Sequence, residues 1–202
     1  MNIFHHPQKS HEWWQLKVGR IGGTRFGKVL SNRKNRLVYE LMNERLNGTQ
    51  MIDDFVSDDM QYGIDNEDTA IELYQKETGL KIDRVGAIIS HLSGWHIASV
   101  DGITKDRTIA QEVKCTMNGD IHLQRFFDGV ESNYLSQCIN NFAVSEEIKE
   151  VHFISYCGYR PERPMFYKVL KREDYSKQIK TGLEKVDSIL IEVDEKLEQY
   201  SF

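Results

Sequence analysis

The chain has 202 residues, 40% of them apolar and 28% charged, with a net charge of −5. This fits a single globular domain over 1–202 and excludes a disordered chain or one that binds nucleic acid through bulk positive charge. With no apolar run near the ~20 residues of a membrane span, no signal-peptide pattern in MNIFHHPQKSHEWW and three widely spaced cysteines (Cys115, Cys138, Cys157), a cytoplasmic protein with free thiols is expected, without membrane partner, disulfide framework, zinc site or iron–sulfur cluster.

Trp13 and Trp14 offer either core packing or a stacking surface for DNA. From Gln15 to Tyr39 the chain carries Lys17, Arg20, Arg25, Lys28, Arg33, Lys34 and Arg36 and no acid, so this stretch holds +7 and the remainder −12. Local positive charge of this kind can hold phosphates on an acidic protein, because screening limits the reach of distant charge. Glycines 19, 22, 23 and 27 predict a turn that exposes backbone and leads into a helix, with Thr24 as N-cap. A helix follows from Arg33 to Leu46 and stops at Asn47-Gly48. Asp53-Asp54 and Asp58-Asp59 read as a solvated acidic loop, and the histidines show no metal-ligand pairing beyond His5-His6.

A second helix is predicted over Met60–Thr78, with Ile64, Ala70, Ile71, Leu73 and Tyr74 as its apolar stripe and Gly79 as its stop. Strands are predicted at Lys81–Ser90, Trp95–Val100 and Thr108–Thr116, then a helix over Glu131–Ala143 with Leu135, Cys138, Ile139 and Phe142 inward. Two further strands, Val151–Cys157 and Met165–Leu170, flank the Pro161–Pro164 turn. A long C-terminal helix over Arg172–Tyr200 buries Ile179, Leu183, Val186, Leu190, Val193 and Leu197. The order predicts an α/β fold with a mixed central sheet flanked by helices.

Chemistry concentrates in the third strand. Side chains alternate along a strand, so Ala110, Glu112 and Lys114 share one face, and Ile109, Gln111, Val113 and Cys115 the other. Antiparallel pairing across a 102–107 turn brings Asp101, in IASVDG, beside Glu112. Two carboxylates and an ammonium then meet at one strand end. Carboxylate oxygens, joined by the Val113 carbonyl, suit Mg²⁺, and a metal with a neighbouring lysine suits phosphodiester hydrolysis. The alternative is an exposed ion pair worth well under ~1 kcal/mol. The apolar surroundings in IASVDG and EVKC favour a used site.

These residues belong to a set of ordered blocks: WWQLKVGRIGGT, YGIDNEDTAIELY, ASVDGI, EVKC and YLSQCINNF, over about residues 13–145. The set resembles the lambda-exonuclease, or YqaJ-type phage recombinase, branch of the PD-(D/E)xK nucleases. The resemblance implies a restriction-endonuclease-like core. It implies that Asp101, Glu112 and the Val113 carbonyl hold Mg²⁺, one ion or two, with Mn²⁺ able to substitute, and that Lys114 is the motif lysine. Glu67 becomes the helix acid that completes the metal site, although periodicity alone places it toward solvent. Gln137 becomes the glutamine of the following helix, although it lies off that helix's apolar stripe. Some relatives carry a tyrosine four positions later, where this chain has Asn141. Lys17 stands where the family places an arginine for the 5′-terminal phosphate. Lysine is a point charge and cannot clamp bidentately, so Arg20, Thr24 and Arg25 are expected to share the contact.

The function implied is a Mg²⁺-dependent exonuclease on linear double-stranded DNA. It would run 5′ to 3′ and leave 3′ single-stranded tails for phage recombination inside a bacterial host cell. The implied partners are double-stranded DNA ends, further copies of the chain in a ring-shaped trimer, and a single-strand annealing protein. Two alternatives remain open on the residues alone: a structure-specific or restriction-like endonuclease, and an inactive nuclease-fold DNA-binding module, against which the intact Asp101–Glu112–Lys114 set argues.

Overall fold

A computed structural model describes residues 1–31, 34–50 and 56–201. In chain order it places β1 (Asn2–Phe4), α1 (His11–Lys17), α2 (Gly23–Leu30), α3 (Lys34–Asn47), α4 (Asp58–Thr78), β2 (Ile82–Asp83), β3 (Ala87–Ile89), β4 (Ile97–Ala98), β5 (Gly102–Thr104), β6 (Ile109–Cys115), α5 (Gly119–Asp128), α6 (Ser132–Val144), β7 (Glu150–Tyr156), β8 (Met165–Lys171) and α7 (Ser176–Tyr200). Arg33 and the Asp53-Asp54 pair fall outside the described residues.

The main sheet runs β2-β5-β6-β7-β8, with β6 and β7 parallel and the other pairs antiparallel. A smaller antiparallel sheet, β1-β3-β4, lies beside it. The expected α/β architecture, with a mixed sheet, flanking helices and a long last helix, is the one observed.

Strand alternation builds the two layers. Ala110, Val151 and Phe153 face a core shared with Phe26 and Val29 of α2, Ile139 and Phe142 of α6, and Val186 and Leu190 of α7. Val113, Ile154 and Met165 face Ala70, Ile71 and Tyr74 of α4. At ~25 cal/mol per Å² of apolar surface, burial on both faces is the main favourable term for the sheet.

Several element boundaries shift. The strand expected over Lys81–Ser90 is two strands in different sheets, parted at Arg84–Gly86. There Gly86 N donates to Phe4 O at 2.9 Å and Trp13 Nε1 donates to Gly86 O at 2.8 Å. Part of the expected 102–107 turn is β5. Thr24 is not an N-cap: Gly22 holds that position, and Thr24 sits exposed in the first turn. The α4 stripe begins at Ala70, since Ile64 is exposed. Arg172–Tyr175 form a 3₁₀ turn ahead of α7.

α5 was not expected. Its buried residues are His122 and Arg125, while Leu123 and Phe127 face outward, so no apolar stripe of helical period announces it. Asn118 starts this helix by accepting from Asp120 N at 2.8 Å.

Candidate active site

The β5–β6 hairpin positions the acids. Gly102 pairs with Gln111, and Asp101 N donates to Gln111 O at 3.1 Å, so Asp101 lies opposite Glu112 as alternation predicts. Asp101 Oδ2 accepts from Val113 N at 2.7 Å. Lys114 Nζ donates to Glu112 Oε1 at 2.5 Å and to Val113 O at 2.9 Å. Lys114 also sits 5.2 Å from the centre of the Tyr134 ring. Both acids are buried.

Charge crowding marks the cluster. Burial raises the Glu112 pKa and the charge of Asp101 raises it further, against the pull of Lys114 and the amide of Asn141. Burial alone would depress Lys114, yet the charges of Glu112 and Asp101 hold it above the ordinary lysine range. Glu67 is raised by burial and then by Asp101, and lowered by Arg84 and Lys114. Carboxyls such as Glu112 and Glu67, held back from ionising by burial and by the charge of Asp101, call for added positive charge.

Among the described residues, no three His, Cys, Asp or Glu side chains converge closely enough to form a metal cage by themselves. The donors that do meet are two carboxylates and a backbone carbonyl. That set suits Mg²⁺, which keeps several of its waters and takes one or two carboxylates. Lys114 already bridges Glu112 Oε1 and Val113 O, two of the oxygens a metal would use, so this oxygen set attracts a cation. Glu67 is near enough to feel Asp101, but its carboxylate is paired with Arg84. The loop residue Arg84 carries no motif, so its partnership with Glu67 was missed.

One cleft of about 810 Å³ joins this cluster to the basic N-terminal segment. Asp101, Glu112, Lys114 and Gln137 line it together with all four expected phosphate contacts, Lys17, Arg20, Thr24 and Arg25. Close packing of α2 on α6 brings them together. A Cβ on Gly23 would stand 3.1 Å from Gln137 Cγ, and one on Gly27 would stand 3.5 Å from Ser136 Cβ. Gln137 therefore faces the cleft rather than bulk solvent. Gly22 gives α2 no side-chain cap, which leaves its first N–H groups for another acceptor.

The four phosphate candidates differ in freedom. Lys17 Nζ stands 4.0 Å from the Trp13 ring centre and 5.0 Å from that of Trp14. Burial, with help from the charge of Arg25, pushes its pKa down to about 8, while Glu44 opposes the shift. Arg20 is committed to the fold, donating from Nε to Gly94 O at 2.7 Å and from Nη1 to Leu16 O at 2.8 Å. Arg25 is paired with Glu44, and Lys28 with Glu40 at 3.1 Å. The Gln15–Tyr39 stretch lacks acids in sequence, but α3 folds Glu40 and Glu44 back onto it. Its effective charge is smaller than the sequence count.

Trp13 is buried, so core packing is its role. Asp59 accepts from Met117 N at 3.1 Å, tying α4 to the end of β6 rather than standing in a solvated loop. No helix among the described residues is long and apolar enough to cross a membrane.

A mixed sheet with an acid entering its hairpin, an E-x-K strand beside it and flanking helices over the same cleft defines the PD-(D/E)xK class of nucleases. Within that class the chain belongs to the YqaJ-like viral recombinase domain family, whose profile matches residues 12–147, the lambda-exonuclease branch. Its structure is similar to that of the alkaline exonuclease LHK-Exo from Laribacter hongkongensis. The TM-score is 0.82, with 26% identity over 95% of this chain and 96% of that one. The same enzyme in complex with dAMP matches at a TM-score of 0.81, again at 26% identity over 95% and 96% of the two chains. A phage-related exonuclease from Haemophilus somnus 129PT shares the fold alone, at TM-score 0.64 and 11% identity over 90% of this chain and 96% of that one. The sequence matches no curated protein.

Proposed function

We propose that this chain is a Mg²⁺-dependent exonuclease that degrades linear double-stranded DNA from its ends. The observation that carries the reading is the single cleft holding both Asp101–Glu112–Lys114 and Lys17 with the open start of α2. Membership of a recombinase family and likeness to LHK-Exo, an exonuclease solved with a nucleotide, support it. Asp101 and Glu112, with the Val113 carbonyl, would hold the metal, which would supply an activated water and neutralise charge on the scissile phosphate. Lys114 places positive charge where the phosphorane charge grows. Gln137 lines the same cleft as the acids and packs against the start of α2 at Gly23. Glu67 joins the metal site once its carboxylate leaves Arg84.

The anion site supports the 5′-to-3′ polarity that the family resemblance implies. A 5′-terminal phosphate held by Lys17 and the Gly23 and Thr24 amides, with Arg25 at the rim, presents the first phosphodiester to the acids. The strand is then cut 5′ to 3′, and 3′ tails remain for recombination with a single-strand annealing protein. Processive action fits a homo-oligomer around DNA, as in the trimer that the family resemblance implies, working in the cytoplasm of a bacterial host. Sedimentation of the 23.6 kDa chain as a monomer, together with distributive cleavage, would remove the ring and leave the nuclease.

The test is digestion of a linear duplex labelled separately at its 5′ and 3′ ends, with Mg²⁺ and with chelator, beside a closed circle. Early release of the 5′ label, metal dependence and an intact circle are expected, and Mn²⁺ should replace Mg²⁺. Cleavage of the circle would make the protein an endonuclease instead.

A further inference from the structure

Asn141 follows Gln137 by four residues on α6, so their side chains lie one turn apart and both line the cleft. Asn141 is only 2% exposed. Its Nδ2 is fully buried and makes no hydrogen bond of good geometry, although the amide lies close enough to Glu112 to favour that carboxylate's charge. The neighbouring Asn140 shows what an amide looks like when the fold uses it: it accepts from His96 Nε2 at 2.9 Å and donates to Ile97 O at 3.0 Å. A buried donor left unpaired at a cleft wall is costly, and such a group persists where something outside the fold completes it.

The missing partner must be an acceptor. A water on a bound cation turns its lone pair to the metal and donates outward, so it cannot fill that role. The Glu112 carboxylate, the acceptor nearest this amide, already takes Lys114 and is the natural ligand of the metal, so a bound cation would draw it away from Asn141. What remains is an oxygen that arrives with the substrate. The amide is neutral, so it can sit beside Asp101 and Glu112 without competing for the cation, as a lysine or arginine would.

We propose that Asn141 binds the reacting phosphate of the nucleic-acid substrate, its Nδ2 donating to a non-bridging oxygen. This rests on the nuclease reading of the Asp101–Glu112–Lys114 cluster. Gln137 and Asn141 then form a two-amide row running from the start of α2 toward the acids, with Asn141 at the metal end.

Asn141→Ala and the isosteric Asn141→Asp, each with the wild type, test the assignment through three readouts. These are thermal midpoint, affinity for a 5′-phosphorylated duplex in Ca²⁺, and kcat and KM in Mg²⁺. The alanine variant should melt no lower than the wild type, because it removes an unpaired buried donor. Its turnover should fall about ten-fold or more, the scale of one hydrogen bond to a charged group. The aspartate variant should bind Mn²⁺ alone at least as tightly as the wild type, yet lose more duplex affinity than the alanine variant, because it turns a carboxylate toward the phosphate. Wild-type turnover and duplex affinity in either folded variant would overturn the assignment. So would a large drop in midpoint with kcat unchanged, which marks a residue that serves only the fold. A wild type that cleaves nothing in Mg²⁺ would overturn the nuclease reading and this proposal together.

Discussion

Asp101 holds the backbone of the strand that carries its partners: its Oδ2 accepts from Val113 N at 2.7 Å, between Glu112 and Lys114. One carboxylate thus fixes the register of E-x-K against the hairpin and faces Glu112 across it. Such a bond from a charged group to a buried amide contributes about 1.5–3 kcal/mol. The hairpin is therefore held in the geometry that its chemistry needs before any cation binds.

Lys17 makes end recognition depend on pH. Its pKa stands at about 8, so it is a cation below that pH and neutral above it. A terminal phosphate is already dianionic above about pH 6 and does not change between pH 7 and 9. The ratio of initial rates on 5′-phosphate and 5′-hydroxyl duplexes should therefore be largest near pH 7, at up to about ten-fold, and shrink by pH 9. Lys17→Ala should show little preference at any pH. Lys17→Arg should keep it through pH 9, because arginine stays charged. A flat wild-type ratio across this range would separate Lys17 from the phosphate.

Glu44 is the hidden support of the basic segment. It is 6% exposed, pairs with Arg25 and accepts from Gly19 N at 2.8 Å. Glu44→Gln leaves Arg25 without its counter-charge and should destabilise the fold by about 3 kcal/mol, as breaking a buried ion pair does. Urea unfolding measures this. A loss below about 0.5 kcal/mol would show that the pair behaves like a surface one.

Gly86 allows the small sheet to close on the N-terminal segment. A Cβ there would lie 1.9 Å from His6 O, and the obstacle is backbone. Gly86→Ala should cost about 3 kcal/mol, at the upper end of overpacking penalties, and should loosen Trp13 from its bond to Gly86 O. Thermal unfolding and tryptophan fluorescence should shift together. An unchanged midpoint would mean that the crossing yields easily.

The acid–acid–lysine centre was legible because a strand has only two faces. Once 109–115 is a strand, Glu112 and Lys114 must share one, and a hairpin brings Asp101 to them. Tertiary contacts between polar residues carry no such period. Arg84 reaches Glu67 from a loop, and Glu44 reaches Arg25 from a separate helix. Asn141 stands in the sequence as a departure from a motif, and only the folded structure shows its amide buried at the cleft wall beside Glu112. α5 escaped notice for a related reason, since its inward residues are His122 and Arg125. The basic run from Gln15 to Tyr39 was legible as charge, but not the neutralisation by α3, because linear proximity says nothing about which helix folds back.

The most direct test of the account is nucleotide release from a linear 5′-phosphorylated duplex in Mg²⁺ by the wild type, Asp101→Asn and Glu112→Gln. Both substitutions keep shape, and asparagine still offers Val113 N an acceptor, so thermal midpoints should stay close to the wild type. Each variant should lose on the order of 10³-fold or more in initial rate, the scale expected when metal-held charge stabilisation is removed. Normal turnover in either folded variant would contradict the account and place the chemistry elsewhere in the chain.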